Sequence, residues 1–117
     1  MGNILETLEK GPENIRIASL KVENAENALK HAKDDLGTAE AIATLKYSDA
    51  KNQKLLEANV KLDEDVKTAR LKLFEAEATF RTAKIGLDQE ENRFVSARKI
   101  AGLDEKVLHS ISSSNIA

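Results

Sequence analysis

The sequence contains no cysteine and no tryptophan, and it has only one tyrosine, three phenylalanines, one proline and five glycines in 117 residues. The absence of cysteine excludes disulfide bonds, thiolate nucleophiles and cysteine-bound zinc. With aromatic residues at 3%, the core has to consist mostly of aliphatic side chains and alanine. Because turn residues are scarce and charged residues make up 32%, the composition favours long helices over a sheet protein.

The chain also lacks an excess of one charge and a long apolar run. Its 18 basic and 20 acidic side chains give a formal net charge of -2, which does not indicate a polyanion as partner. No apolar segment reaches the ~18–20 residues that a membrane helix needs. The first residues, MGNILETLEK, have no basic region followed by an apolar block. We therefore expect a cytoplasmic protein with no membrane contact and no standard export signal.

A seven-residue apolar repeat begins near the start of the chain. Pro12 is tolerated in a first helical turn, and Glu13 places negative charge at the positive end of the helix dipole, so a helix is expected to begin there. The pattern predicts a long helix over about residues 12–46. One stripe of this helix consists of Ile15, Val22, Leu29, Leu36 and Ala43, with Ala18, Ala25, Ala32 and Ala39 three positions after the first four.

The second half of the sequence repeats this design. Asp63 to Asp65 supply a cap and first-turn acids, and Gly102 is a natural stop, so a second helix is predicted over about 64–101. Two helices of similar length with complementary stripes favour a long antiparallel hairpin with an alanine-rich, coiled-coil-like seam. The second stripe consists of Val66, Leu73, Phe80, Leu87, Phe94 and Ala101, with Ala69, Ala76, Ala83 and Ala97 between them.

The remaining segments are shorter. Leu55, Leu56 and Val60 favour a third, short helix over about 50–61, and the polar end HSISSSNIA, residues 109–117, is expected to be a flexible tail. The whole chain, 1–117, is expected to form one all-α domain.

A further apolar stripe lies on another face of the last helix. Its members are Leu71, Phe74, Ala78 and Ile85. One hairpin partner cannot cover both faces, so we expect either the segment 47–62 with the N-terminus or a second copy of the chain to pack there. Homo-oligomerisation is the expectation. Glu90 stands in the seam where the repeat calls for alanine, and in a hairpin it comes opposite Lys21, which predicts an ion pair that fixes the register.

The sequence carries no pattern of an enzyme. Zincin, nucleophile-elbow, phosphate-loop and dinucleotide-binding motifs are absent, and neither His31 nor His109 is placed as a catalytic base. Bundle di-metal sites need a Glu-x-x-His pair, and none is present. We therefore expect no catalytic residues, no bound metal and no cofactor.

Basic residues are more frequent in the middle of the chain and carry an alternative interpretation. Five of them are candidate phosphate contacts, namely Lys51, Lys54, Lys61, Lys67 and Arg70. Single-strand binders usually combine such a groove with aromatic stacking platforms, and only Tyr47 and Phe74 lie near this region. The uneven distribution of charge along the chain is explained better by pairing of an acidic first helix with a more basic second helix. Nucleic-acid binding stays the alternative.

Several motifs of the second half resemble a known group of proteins. They are AKNQKLLEA at 50–58, the acidic residues 63–65, LFEAEA at 73–78 and ENRFVSAR at 91–98. They resemble small all-helical proteins of uncharacterised role encoded by tailed bacteriophages and prophages. The resemblance covers roughly residues 45–101, and the first helix matches in length and position only. It implies an accessory phage protein acting inside a bacterial cell, and it brings no site residue with it.

Together these observations predict a non-enzymatic interaction protein that presents rigid helix faces to a protein partner. With the phage resemblance, its expected role is inhibition or redirection of host machinery, that is, host takeover. The alternatives are a nucleic-acid accessory protein in phage replication or recombination, and a virion or assembly scaffold component. An alanine-rich helical seam suits all three equally well.

Overall fold

The computed structural model describes the backbone of residues 2–116 and the side chains of residues 4–102. Three α-helices follow one another, α1 (Gly2–Lys46), α2 (Gln53–Leu62) and α3 (Glu64–Ile116). No strand occurs in the described backbone, which confirms the predicted all-α class. In that part of the chain, none of the helices combines the length and the apolar character that crossing a bilayer requires.

The contacts of the chain divide it into two compact units. The turn unit comprises residues 22–83, and the terminal unit comprises residues 1–21 together with 84–117. Both long helices contribute to each unit, whereas α2 lies in the turn unit alone. The single domain and the antiparallel hairpin stay predictions.

The two heptad stripes are the less exposed faces of the long helices. Each of their members is buried or half-buried, and Val66 and Ala43 are the most deeply buried, at 0% and 1% exposed. Among the described side chains, the buried apolar ones are Ala25, Ala43, Val66, Ala69 and Ala97. Four of these five are alanines, so the core is as poor in large side chains as the composition indicates.

The predicted start of the first helix at Pro12 is wrong, because α1 begins at Gly2 and contains Pro12 in its interior. A proline normally pushes the residue before it out of the helical region through a clash with that residue's Cβ. Here that residue is Gly11, which has no Cβ. The sequence did contain the relevant pattern, since Leu8 and Gly11 lie seven residues before Ile15 and Ala18.

Gly11 also makes a close contact within the terminal unit. It is buried, and a Cβ added to it would overlap the ring of Phe94. Small size at position 11 is therefore required by tertiary packing as well as by Pro12. This contact joins the beginning of α1 to α3 inside that unit.

The predicted bounds of the other helices hold at some ends and fail at others. α1 ends at Lys46 and α3 begins at Glu64, as predicted. α2 begins three residues later than predicted because the side chain of Asn52 caps it, accepting a hydrogen bond from the backbone nitrogen of Leu55 at 2.9 Å.

The predicted stop at Gly102 is also wrong, because α3 continues to Ile116. A glycine ends a helix by adopting a left-handed conformation, and no described glycine has a positive φ. In a helical conformation glycine costs only about 1 kcal/mol relative to alanine. The predicted flexible tail, residues 109–117, is helical in backbone as far as Ile116, and its side chains and Ala117 lie outside the described residues.

Alanine substitutions at two helical glycines should have opposite effects. Gly11→Ala forces the ring of Phe94 to move, and we expect it to lower the free energy of unfolding by about 1–2 kcal/mol. Gly37 has no atom within 4 Å of an added Cβ, so Gly37→Ala should raise stability by up to about 1 kcal/mol. Urea unfolding followed by circular dichroism measures both changes.

The cause of the Gly11 effect can be tested in a double-mutant cycle. If the ring of Phe94 is the obstacle, Gly11→Ala should cost less in a Phe94→Leu background than in the wild type. Equal stabilisation by the two glycine substitutions would contradict the close contact.

Candidate interaction surfaces

The apolar stripe predicted as an interaction face is exposed in this chain. Leu71 is 63% exposed, Phe74 is 55% exposed and Ala78 is also exposed. These three residues, which we call the outer stripe, lie in the turn unit and share one face of α3 because they are three and four positions apart. Ile85, the fourth predicted member, is 57% exposed and belongs to the terminal unit.

Sequence reasoning missed other exposed apolar side chains in the turn unit. Ile42 is 60% exposed and Leu45 is 77% exposed on α1, while Leu55 and Leu62 are exposed on α2. Ile42 and Leu45 lie between the heptad positions of α1, and a search for a single heptad stripe passes over them. Their exposure means that the turn unit has apolar surface beyond the outer stripe.

α2 forms one wall of a groove of about 600 Å³ in the turn unit. We call it the basic groove, because Lys54 and Lys61 of α2 and Arg70 of α3 line it. Two acids, Glu40 and Glu57, line it as well, so the excess of positive charge is one. The groove also contains Thr44, Gln53, Leu56, Ala58 and Val60.

The structure brings three of the five candidate phosphate contacts together and separates the other two. Lys51 and Lys67 do not line the basic groove, and Lys67 pairs with Glu64 at 3.6 Å along its own helix. Arg70 is half-buried. Among the described side chains, no carboxylate lies within ion-pairing distance of Lys54, Lys61 or Arg70, so their charges are available to a ligand.

A second groove of the turn unit, of about 270 Å³, has the opposite charge. We call it the acidic groove, because Asp35, Asp63 and Asp65 line it beside the single cation Lys46. The rest of its lining consists of Thr38, Ala39, Ile42 and Ala43. No residue of α2 belongs to this lining.

Asp63 occupies the corner between α2 and α3 and is 6% exposed. Its backbone N–H ends α2 by donating to the carbonyl of Val60. Its Oδ1 caps α3 by accepting from the backbone nitrogens of Asp65 at 3.0 Å and Val66 at 3.3 Å. One residue therefore ends one helix and begins the next, with the fully buried Val66 directly beside it.

The other carboxylate oxygen of Asp63 connects this corner to the end of α1. Oδ2 accepts a hydrogen bond from the hydroxyl of Tyr47 at 3.0 Å and another from Nζ of Lys46 at 3.3 Å. Lys46 also lies 5.2 Å from the centre of the Tyr47 ring. Since Lys46 is largely exposed, its ion pair contributes little by itself, and the hydroxyl and backbone donors are the main stabilising partners.

These contacts affect the ionisation of Asp63 and Lys46. Burial opposes the ionised form of Asp63, yet the hydrogen bonds from Tyr47, the Val66 backbone and Lys46 together hold the pKa of this carboxyl below its ordinary value. The hydrogen bond to Asp63 raises the pKa of Lys46, with a further contribution from Tyr47. Both groups are therefore charged at neutral pH, and the acidic groove keeps a net charge from Asp35 and Asp65.

The predicted ion pair between Glu90 and Lys21 is wrong. Glu90 pairs with Arg93 at 3.4 Å, three residues further along α3. A partner one turn away on the same helix is already close, so this pair needs no alignment of two helices. Glu90 therefore does not fix the register through Lys21.

The described side chains contain no group of three or more histidines, aspartates or glutamates that could hold a metal ion. Asp63, the one buried charged side chain among them, has its oxygens occupied by hydrogen bonds.

Substitutions at Asp63 and Tyr47 should distinguish the contribution of helix capping to stability from the contribution of the Asp63 charge. Asp63→Ala removes the cap and the ion pair, Asp63→Asn keeps a capping oxygen, and Tyr47→Phe removes one donor. We expect the melting temperature to fall most for Asp63→Ala and less for the other two, with Tyr47→Phe costing about 1 kcal/mol. Thermal unfolding followed by circular dichroism gives this order.

The pH dependence follows from the depressed pKa of Asp63. Its ionised form is favoured in the folded state, so its contribution is complete above the unfolded value near pH ~4 and is lost as pH falls through the folded pKa. Between pH ~5 and ~2 the wild type should lose more stability than Asp63→Asn. Parallel curves of melting temperature against pH would show that Asp63 has no such role.

Comparison with protein-family models gives no match for this chain. Comparisons with curated proteins and with solved structures give no similar protein either. Surface geometry and charge therefore carry the functional argument.

Proposed function

We propose that this chain is a non-enzymatic helical interaction protein that binds a protein partner through the outer stripe. The supporting observation is the exposure of Leu71 and Phe74 on a face of α3 away from its buried seam. Large apolar side chains adjacent to one another at helical spacing are typical of helix faces that dock on another protein. A phenylalanine is also a suitable anchor, because a rigid ring contributes a large contact area.

The proposal extends to architecture and cellular setting. The two long helices pair as an antiparallel hairpin, and the protein self-associates. From the phage resemblance we infer that it acts in the cytoplasm of a bacterial host, where it inhibits or redirects a host protein. Neither a cofactor nor a membrane takes part.

A second candidate function, binding of nucleic acid during phage replication or recombination, rests on the basic groove. Lys54, Lys61 and Arg70 line one groove, and no carboxylate among the described side chains neutralises them. Glu40 and Glu57 in the same groove weaken its attraction for phosphates. The outer stripe therefore carries the first proposal, and the basic groove carries the second.

Polar substitutions on the outer stripe test the first proposal. We expect Leu71→Gln/Phe74→Gln to lose a host protein that the wild type captures from bacterial lysate after nuclease treatment. The matched control is Leu45→Gln, an exposed leucine of the same unit on α1, which should retain the partner. Quantitative mass spectrometry measures the recovered partner, and circular dichroism verifies the helix content of each variant.

Equal recovery of the partner by both variants would exclude the outer stripe as the binding surface. Absence of any protein recovered near stoichiometric amounts would argue against the interaction function itself.

Charge reversal in the basic groove tests the second candidate. If its three cations contact phosphates, the association constant for a fluorescent single-stranded oligonucleotide should fall as the salt concentration rises. A plot of the logarithm of that constant against the logarithm of the salt concentration should have a slope of about -2. Lys54→Glu/Lys61→Glu should reduce this affinity at least about tenfold, while Lys72→Glu, an exposed lysine outside the groove, should not. Fluorescence anisotropy at several salt concentrations makes the measurement, and equal loss in both variants would show non-specific attraction.

A further inference from the structure

We infer that the acidic groove of one molecule binds the outer face of α2 from a second copy of this chain. The lining of the acidic groove combines apolar and charged side chains. Ile42, 60% exposed, lies beside Ala39 and the buried Ala43. An apolar ridge inserted here would cover Ile42, which this molecule leaves in water.

The charge of the acidic groove defines the kind of ridge that fits. Lys46 is held by Asp63, so Asp35 and Asp65 are left as its uncompensated charges. No cation among the described side chains lies within ion-pairing distance of either carboxylate. A nucleic acid would be repelled, and an apolar helix with basic residues beside its apolar row would be attracted.

α2 has such a face. Leu55 and Leu62 are 43% and 64% exposed and lie seven residues apart, with the exposed Ala58 between them. Lys54 and Lys61 each lie one position before a leucine and about 100° around the helix from it. The row that these lysines form with Ala58 therefore flanks the leucines on one side, and it also lines the basic groove. The opposite face of α2, with Leu56 and Val60 half-buried, is turned toward its own molecule.

The two surfaces match in charge. Two uncompensated carboxylates of the groove meet two lysines that have no ion pair among the described residues. The complementarity favours one relative orientation and steers the encounter.

The occupant has to come from a second molecule. α2 lines the basic groove of its own turn unit and contributes nothing to the acidic groove. Because groove and ridge are different surfaces, the contact is heterologous, and repetition of it gives rings or open chains rather than a closed pair of identical faces. This contact uses neither Leu71 nor Phe74, so it is independent of the outer stripe.

The test is reciprocal charge reversal with full-length protein. The groove variant is Asp35→Lys/Asp65→Lys and the ridge variant is Lys54→Glu/Lys61→Glu. Sedimentation equilibrium up to about 1 mM protein measures association. We expect the wild type to associate at about 50 mM salt and at least tenfold more weakly at about 500 mM. Each variant alone should associate at least about tenfold more weakly than the wild type.

Mixing gives the decisive result. In an equimolar mixture the intact groove of the ridge variant meets the intact α2 of the groove variant, and the two reversed surfaces also match each other. Association should therefore return in the mixture to within about threefold of the wild type. Asp34→Lys/Lys72→Glu, which reverses exposed charges outside the acidic groove, should associate like the wild type.

Each other outcome overturns the inference. A wild type that stays monomeric up to about 1 mM shows that the surfaces do not pair, and association unchanged in both variants shows that another surface is used. Lack of recovery in the mixture shows that the losses do not come from this contact. Asp35→Lys alone leaves the first turn of α3 intact, and circular dichroism of every variant detects any failure to fold.

Discussion

The long helices bury faces in which small side chains alternate with larger ones. Small residues on these faces allow a close approach, as Gly11 and Phe94 show in the terminal unit. The same choice limits the core, because four of the five buried apolar side chains among the described residues are alanines. A core this thin leaves large apolar side chains such as Leu45 and Phe74 exposed.

The corner at Asp63 is the polar counterpart of the seam. A single carboxylate caps α3, and it accepts from Tyr47 and Lys46 at the end of α1. This corner needs only one residue between the two helices, because Asp63 both ends α2 and caps α3. Its cost is the burial of a charge, and the hydrogen bonds to both oxygens compensate for that burial.

The position of α2 then produces two unlike grooves in the turn unit. α2 lines one groove and contributes cations to it, while the acidic groove contains no residue of α2 and includes the exposed Ile42. Two grooves of opposite charge therefore result from the position of one short helix. A chain with almost no net charge can in this way present a basic and an acidic surface at the same time.

The sequence by itself determined the helical class, the inner faces of the long helices and the ends at Lys46 and Glu64. An apolar repeat of seven residues defines one face of a helix, whichever element packs on that face. The helix start at Glu64 is also predictable, because the Asp63 side chain caps backbone groups within three residues of it. It also indicated that Leu71 and Phe74 lie off the seam. Tertiary structure decided the rest. The contact of Gly11 with Phe94 joins residues more than eighty positions apart in the sequence, so no local pattern contains it. The partner of Glu90 and the grouping of Lys54, Lys61 and Arg70 likewise could not be predicted from the sequence. Ion pairs and grooves depend on the distances between side chains in the folded structure, and the order of residues in the chain does not give these distances.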